Sequence, residues 1–352
     1  MTTITVPGAH QSPVWPFAFA LDWSGANVTK PAAFALIAIA AIALATLGLI
    51  ITGVRGRFAR LWIPGSVTLL VCAAASTWVL AVPAFPTTYA TSPIPYTADA
   101  VARGAARFAQ RCGSCHGPEG RGDGPAAAVL PVKPVNLAEH AMHHPQGNLF
   151  WWIAHGIPHA PMPAFSPQIS DTGIWELVQY LAARSSAEAA LSLGASPDAN
   201  SMSRMPDFTY EAPGHGQRTL SGQRSPALII MYSAPQSLPR LAELASDHRV
   251  LHGNLRVIAI PFAPTGPADD AGPLAQMVVD RNVASVYAMF ATPANGSPPA
   301  HAELLVDASG VLRARWIGLP ANGADRDAEI VAAAQHLPAP SSRMPAEMHH
   351  GN

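Results

Sequence analysis

Cysteines at 112 and 115 followed at once by a histidine, in Cys112-Gly-Ser-Cys115-His116, constrain this chain more than any other feature. Two thiols at that spacing can bond to the two vinyl groups on one edge of a haem, and the adjacent imidazole can then ligate the iron. A redox dithiol would follow a β-strand, whereas this motif ends a helical stretch outside the α/β part of the chain. A zinc site would need two more ligands at paired spacing. The remaining cysteine, Cys72, sits in an apolar run and reads as a small packing residue. The spacing therefore predicts one covalent haem c held by Cys112, Cys115 and His116.

An iron that only carries electrons needs a sixth ligand. The best candidate is Met162, in Gly156-Ile-Pro-His-Ala-Pro-Met162-Pro-Ala-Phe165. A thioether between prolines, on stiff chain, can be held against iron at small entropic cost, and it favours the ferrous state. Met142, His143, His144, His155 and His159 are also available, although each histidine reads better as a solvated loop residue. Trp151, Trp152 and Trp175 are expected around the haem or between helices.

Hydropathy predicts two membrane spans, Ala32 to Val54 and Leu61 to about Phe85, each uncharged and just over twenty residues long. That length crosses a hydrocarbon core of roughly 30 Å. Arg55, Arg57 and Arg60 lie between them, against Lys30 alone before the first, so the connector 55–60 is expected in the cytoplasm. No basic region with a short apolar core precedes the first span, which would itself serve as the export signal. The expected organisation is an N-terminal periplasmic segment at 1–30, two transmembrane helices at 31–85 and an all-α domain at 96–186. A linker at 187–223, an α/β domain at 224–337 and a tail at 338–352 follow. With 12% charged residues and a formal net charge of -1, nucleic-acid binding is not expected.

Within the all-α domain, a helix capped by Thr97 reaches the first cysteine with Gly104 and Phe108 on one face. A second, capped by Ser170, carries Ile174, Leu177, Val178 and Leu181 at helical spacing. Cys112 to His116, with Gly117-Pro-Glu-Gly-Arg-Gly-Asp-Gly124 and Met162-Pro-Ala-Phe165, resembles a class I cytochrome c over roughly Thr97 to Arg184. The resemblance implies that the first and last helices cross at the haem edge, where Gly104 and Trp175 would meet. It also implies a proline carbonyl orienting His116, from Pro131 or Pro134, and Met162 as distal ligand. Two spans running into Pro86-Thr-Thr-Tyr89 and then such a domain resemble the cytochrome-fused members of the CopD copper-resistance family. A whole CopD-type membrane domain has more than two spans, so copper transport does not carry over directly.

In the α/β region, Ala227 to Tyr232 is a buried-strand pattern. A helix from Leu238 to His252, a strand from Leu255 to Ile260, a hairpin from Glu303 to Ile317 and a helix from Asp325 to His336 follow. These resemble a thioredoxin-like domain, but Ser233-Ala-Pro-Gln-Ser237 stands where the family has its cysteine pair, so thiol exchange is excluded there. The tail, with Met344, Met348, His349 and His350, offers soft ligands that suit copper(I), as do Met202 and Met205 with less support, but a disordered tail that merely contains them is the preferred reading.

The expected whole is a multidomain, multi-pass inner-membrane protein with its haem and C-terminal domains in the periplasm. It would be no enzyme: it would pass single electrons between redox partner proteins at the membrane. The alternatives are a copper-resistance protein coupling haem redox to copper handling, and a subunit of a larger respiratory complex. Oligomeric state is not legible.

Overall fold

The computed structural model describes residues 19–21, 81–83, 85–158, 160–212, 216–221, 225–233, 235–247, 255–262, 280–292 and 296–338. They fall into two compact units, residues 1–92 with 142–166, and residues 93–141 with 167–352.

The first unit corrects the membrane expectation. Among the described residues no helix is long and apolar enough to cross a membrane. The end of the second expected span is instead a strand: Phe19–Leu21 (β1) pairs antiparallel with Ala81–Pro83 (β2). Residues 32–54 and 61–80, and the arginines at 55–60, lie outside the described residues. The two transmembrane helices, the membrane embedding and the multi-pass inner-membrane location are therefore overturned. The physical reason is that an uncharged run reports hydrophobicity and not helicity, which hydropathy alone cannot separate.

In the same unit, residues 85–92 lie against helix Gln146–His155. A Cβ on Gly147 would stand 1.5 Å from the carbonyl oxygen of Thr87, so only glycine allows this approach. Thr88 donates to Asn148 Oδ1 at 2.6 Å, both side chains being buried, and Phe85 stacks on Trp151 at 5.8 Å.

The second unit opens with α1, Ala98–Arg111, whose N-cap Thr97 accepts from Ala100 N. A four-residue turn, α2 (Gly113–His116), and another, α3 (Leu137–His140), follow; the helix of the first unit just described is α4 (Gln146–His155). Then comes α5, Asp171–Ala190, capped by Ser170. Helices α1 and α5 pack closely at Gly104, where a Cβ would lie 2.0 Å from Glu176 O and 2.8 Å from Tyr180 Cβ. The partners are thus Glu176 and Tyr180, one turn apart, and not Trp175, which a step of about 100° turns away from that line. Arg103 and Arg107 both bind the buried Glu176 carboxylate across the helix pair.

Residues 187–223, expected as a linker, contain the last turn of α5 and a hairpin of β3 (Thr209–Ala212) and β4 (Gly216–Thr219). Beyond it, β5 (Ala227–Tyr232), α6 (Leu238–Ser246) and β6 (Arg256–Pro261) form a parallel β-α-β unit. Helix α7 (Arg281–Ala291), strands β7 (His301–Val306) and β8 (Leu312–Ile317), and α8 (Gly323–Gln335) follow among the described residues. The sheet order is β6-β5-β7-β8, with β7 antiparallel to both neighbours, which is the thioredoxin-like arrangement. Alternate residues of β5 face opposite sides. Leu228, Ile230 and Tyr232 join Leu241, Leu244, Trp316 and Ile330 in one core. Helix α7 contacts β5, β6 and β7, and it also packs on α1 and α5. Asn282 donates to Asp99 at 3.1 Å there, and the Tyr287 hydroxyl to Pro206 O at 2.5 Å.

Candidate functional site

Helix α1 delivers the first cysteine: Cys112 N donates to Phe108 O at 2.8 Å, and His116 N to Cys112 O at 2.9 Å. One turn of helix thus presents Cys112, Cys115 and His116 together, with both thiols free and partly accessible. The glycine-rich stretch then folds back on this turn. Gly122 N donates to His116 O at 2.9 Å, and Gly124 N to Cys115 O at 3.2 Å. Gly122 has φ +79°, and a Cβ there would be 2.3 Å from Pro134 O, so glycine lets the 131–135 segment come close. Arg121 fixes the loop to α5 through two bonds to Glu188, at 3.1 and 2.8 Å, and Arg184 pairs with Glu119. The Phe108 ring lies 6.4 Å from that of His116 and 5.0 Å from that of Tyr180.

Burial lowers the pKa of His116, partly offset by the backbone of Val135, so the imidazole is neutral and able to ligate. Its Nδ1 is buried without a hydrogen bond of normal geometry; the approach of Val135 is therefore electrostatic and short of a formed bond. Burial, and then the neighbouring Cys115, push Cys112 up to about 11. Reactive dithiols carry a depressed pKa, so this protonated thiol does not fit a redox pair. Val129, Val132 and Val135 are 84%, 51% and 55% exposed, an apolar arc on the segment that approaches His116. Paired thiols, a neutral imidazole with an unused buried nitrogen and exposed apolar side chains fit a covalent haem.

Met162 belongs to the first unit, as do Met142, His143, His144 and His155. It is partly buried, in a loop that returns on α4: Ile157 N donates to Met162 O at 3.2 Å, and Phe165 N to Ile153 O at 3.1 Å. His155 Nδ1 meets Trp151 O at 3.1 Å, and His144 packs edge-on against Trp152. His159, Cys72 and the Met344 to His350 tail lie outside the described residues. Among the described residues no group of three or more His, Cys, Asp or Glu could hold a metal. Met202 is 53% exposed and Met205 is buried.

At the position of the missing cysteine pair, Ser233 N and Ser237 Oγ both donate to Ala300 O, at 2.8 and 2.9 Å. Beneath them Arg240 is buried and binds Glu303 at 2.8 Å and Asp327 at 2.6 Å. His301 and Arg326 also reach Glu303, at 3.2 and 3.1 Å. Burial alone would raise Glu303, but the bond from His301 and the charge and bond of Arg240 outweigh it and hold the carboxyl below its usual value. This interior is a closed ion network with no thiol.

Residues 99–181 form a cytochrome c domain, which implies a covalently bound haem c and electron-transfer chemistry. They match the family of cytochrome c oxidase, cbb3-type, subunit III. The chain is similar to a member of the Kuenenia stuttgartiensis reducing HAO-like protein complex at 25% identity. That likeness covers 33% of this chain and 58% of the other, with a TM-score of 0.24. A Chlorobium tepidum protein described as a thiol:disulfide interchange protein DsbE is 19% identical. There the match covers 37% of this chain and 95% of the other, with a TM-score of 0.27. Neither likeness bears on the fold, which rests on the strand order above. No curated protein matches the chain.

Proposed function

We propose that the chain passes single electrons through one haem c, held by thioether bonds from Cys112 and Cys115, with His116 as proximal and Met162 as distal ligand. The bound haem supplies a reversible one-electron iron couple. The residues do the rest. Helix α1 and the turn α2 present the thiols and the imidazole together, and a proline carbonyl of the 131–135 segment, from Pro131 or Pro134, orients the ring once the haem is bound. The Met162 loop, bonded back on α4, restrains the thioether. The limits 96–186 for this domain and 224–337 for the thioredoxin-like domain belong to the same reading. The observation that carries it is the single helical turn bearing two free thiols beside a neutral imidazole with an unused buried nitrogen.

The test is haem staining of the denatured full chain, with optical spectra of the oxidised and reduced protein. Covalent haem in the wild type, lost in Cys112→Ala/Cys115→Ala, is expected. Ferric wild type should show the weak far-red band of methionine ligation, and Met162→Ala should lose it. An unstained wild type refutes the haem reading, and a band that survives in Met162→Ala refutes that ligand.

A second reading is a haem subunit of a larger oxidoreductase, favoured by the family match to an oxidase subunit. It predicts that a tagged chain purified at native expression level carries stoichiometric partner subunits, whereas a free carrier purifies alone.

A further inference from the structure

Arg184 lies on α5 one turn beyond Tyr180. Its guanidinium donates to Glu119 O at 3.3 Å and pairs with the Glu119 carboxylate, three residues past His116. The Arg184 side chain is 11% exposed and its Nε is buried without a partner, while Glu119 is 54% exposed. Compensation is therefore unequal: solvent screens the carboxylate far more than the cation. The nearby Arg121–Glu188 pair is doubly bonded and nearly neutral in sum. Burial pushes the Tyr180 hydroxyl up to about 12, and that group also feels Arg184, Glu119 and Cys112. Tyr180 in turn packs on Phe108, and Phe108 on His116. The cation thus lies one helical turn from Tyr180, whose packing on Phe108 leads to His116.

We infer that Arg184 is a potential-setting residue: its part-buried, undercompensated charge disfavours the ferric state and raises the potential of the haem, with Glu119 as its partial counterweight. The inference rests on the haem reading above. Oxidation adds one positive charge at the iron, so a fixed cation nearby opposes it. At an effective dielectric of about 20, a unit charge roughly 12–25 Å from a redox centre shifts such an equilibrium by about three- to tenfold.

The experiment is a spectroelectrochemical titration of the haem-loaded full chain, after haem staining has established that the group is attached. In Arg184→Gln, the ferric to ferrous ratio at the wild-type midpoint should rise roughly three- to tenfold. That is a fall of about 28–59 mV at ~59 mV per decade for one electron. Arg184→Lys, which keeps the charge, should stay within about twofold, and Glu119→Gln should move the ratio in the opposite direction. Loosened packing that wets the haem would move both neutral variants the same way, so opposite signs distinguish the field from structural damage. An Arg184→Gln protein with attached haem and an unmoved midpoint overturns the inference and spares the haem reading. The same holds if Glu119→Gln shifts in the same direction as Arg184→Gln. A wild-type chain without haem overturns both.

Discussion

Gly104→Ala tests the crossing of α1 and α5, on which the position of the haem-attachment turn depends. The added methyl carbon would stand 2.0 Å from Glu176 O and 2.8 Å from Tyr180 Cβ. Ordinary contact begins near ~3.4 Å, so the helices must part by about 1.4 Å (3.4 minus 2.0). The obstacle is backbone on a twenty-residue helix, which cannot rotate aside as a side-chain tip would. In an isolated helix the same change stabilises by about 1 kcal/mol, because alanine is the better helix former. Against this stand about 1–3 kcal/mol or more for overpacking, with loosening of the Phe108–Tyr180 contact and of both arginine bonds to Glu176. The net expectation is a loss of about 1–2 kcal/mol, toward the upper end because those contacts loosen together. For a cooperative unit of this size that is a fall in Tm of roughly 2–8 °C. Thermal unfolding of the haem-loaded chain, followed by circular dichroism and in the Soret band, measures it. An unchanged or raised Tm would mean that α1 and α5 do not meet at Gly104, and the placement of the cysteine turn would fall with it.

Gly122→Ala, at φ +79° and facing Pro134 O, should displace the Pro134–Val135 segment and lower Tm by about 2 kcal/mol equivalent, read in the same melt. Glu303→Ala leaves Arg240 and Arg326 without their shared carboxylate and should cost about 3–5 kcal/mol in urea unfolding. A value under about 1 kcal/mol would show that the network contributes little. Because Glu303 is held below its ordinary 4.5, it stabilises the fold above that pH, and the contribution disappears as pH falls beneath it. Burial raises Asp327 despite its bond to Arg240, so it adds no acid lability, and Glu303, enclosed by three donors, decides the sign. Glu303→Gln should therefore flatten the loss of stability between about pH 5 and 3. The thioredoxin-like domain should not accelerate insulin reduction by dithiothreitol above the blank; acceleration would contradict a thiol-free site.

Legibility in the sequence followed the locality of the signal. Thr97 and Ser170 cap their helices through contacts three residues away, which spacing alone can report. Glu176 binding Arg103 and Arg107, or Arg184 binding Glu119, depends on partners about seventy residues apart, and nothing in the chain order reveals it. Helix α7 was readable and absent from the expectation: Asp280 caps it, and Val283, Val286, Tyr287 and Phe290 recur at helical spacing. Helix α4 was hidden by its setting in a proline- and glycine-rich stretch, though Pro145 and Gly156 mark its two ends. The expected helix to His252 instead stops at Ser246, with Asp247 in extended backbone. The spans failed for a different reason. Hydropathy measures transfer to an apolar phase, and Ala81–Pro83 shows that an apolar run can equally be a strand.

The position of α7 bears on why a domain without thiols accompanies a cytochrome. One face of α7 covers the sheet and another meets α1 and α5, so the helix belongs to both cores. Residues 96–98 and 207 add a backbone connection, with Ala98 N donating to Asp207 O at 2.8 Å and Asp207 N to Tyr96 O at 2.9 Å. Tyr287, fully buried, ties α7 to Pro206 through its hydroxyl and packs on Phe208 at 5.0 Å. Ending the chain before β5 would remove α7 and strip the apolar cover from the outer faces of α1 and α5. At about 25 cal/mol per Å² of apolar surface, each large side chain so uncovered costs about 1.5–3 kcal/mol. A chain ending at residue 223 should consequently melt well below the full protein and, by the loosening of α1, attach haem less completely. If instead it matched the full chain in Tm and haem content, the two cores would be independent, and the contacts of α7 would be incidental to the cytochrome.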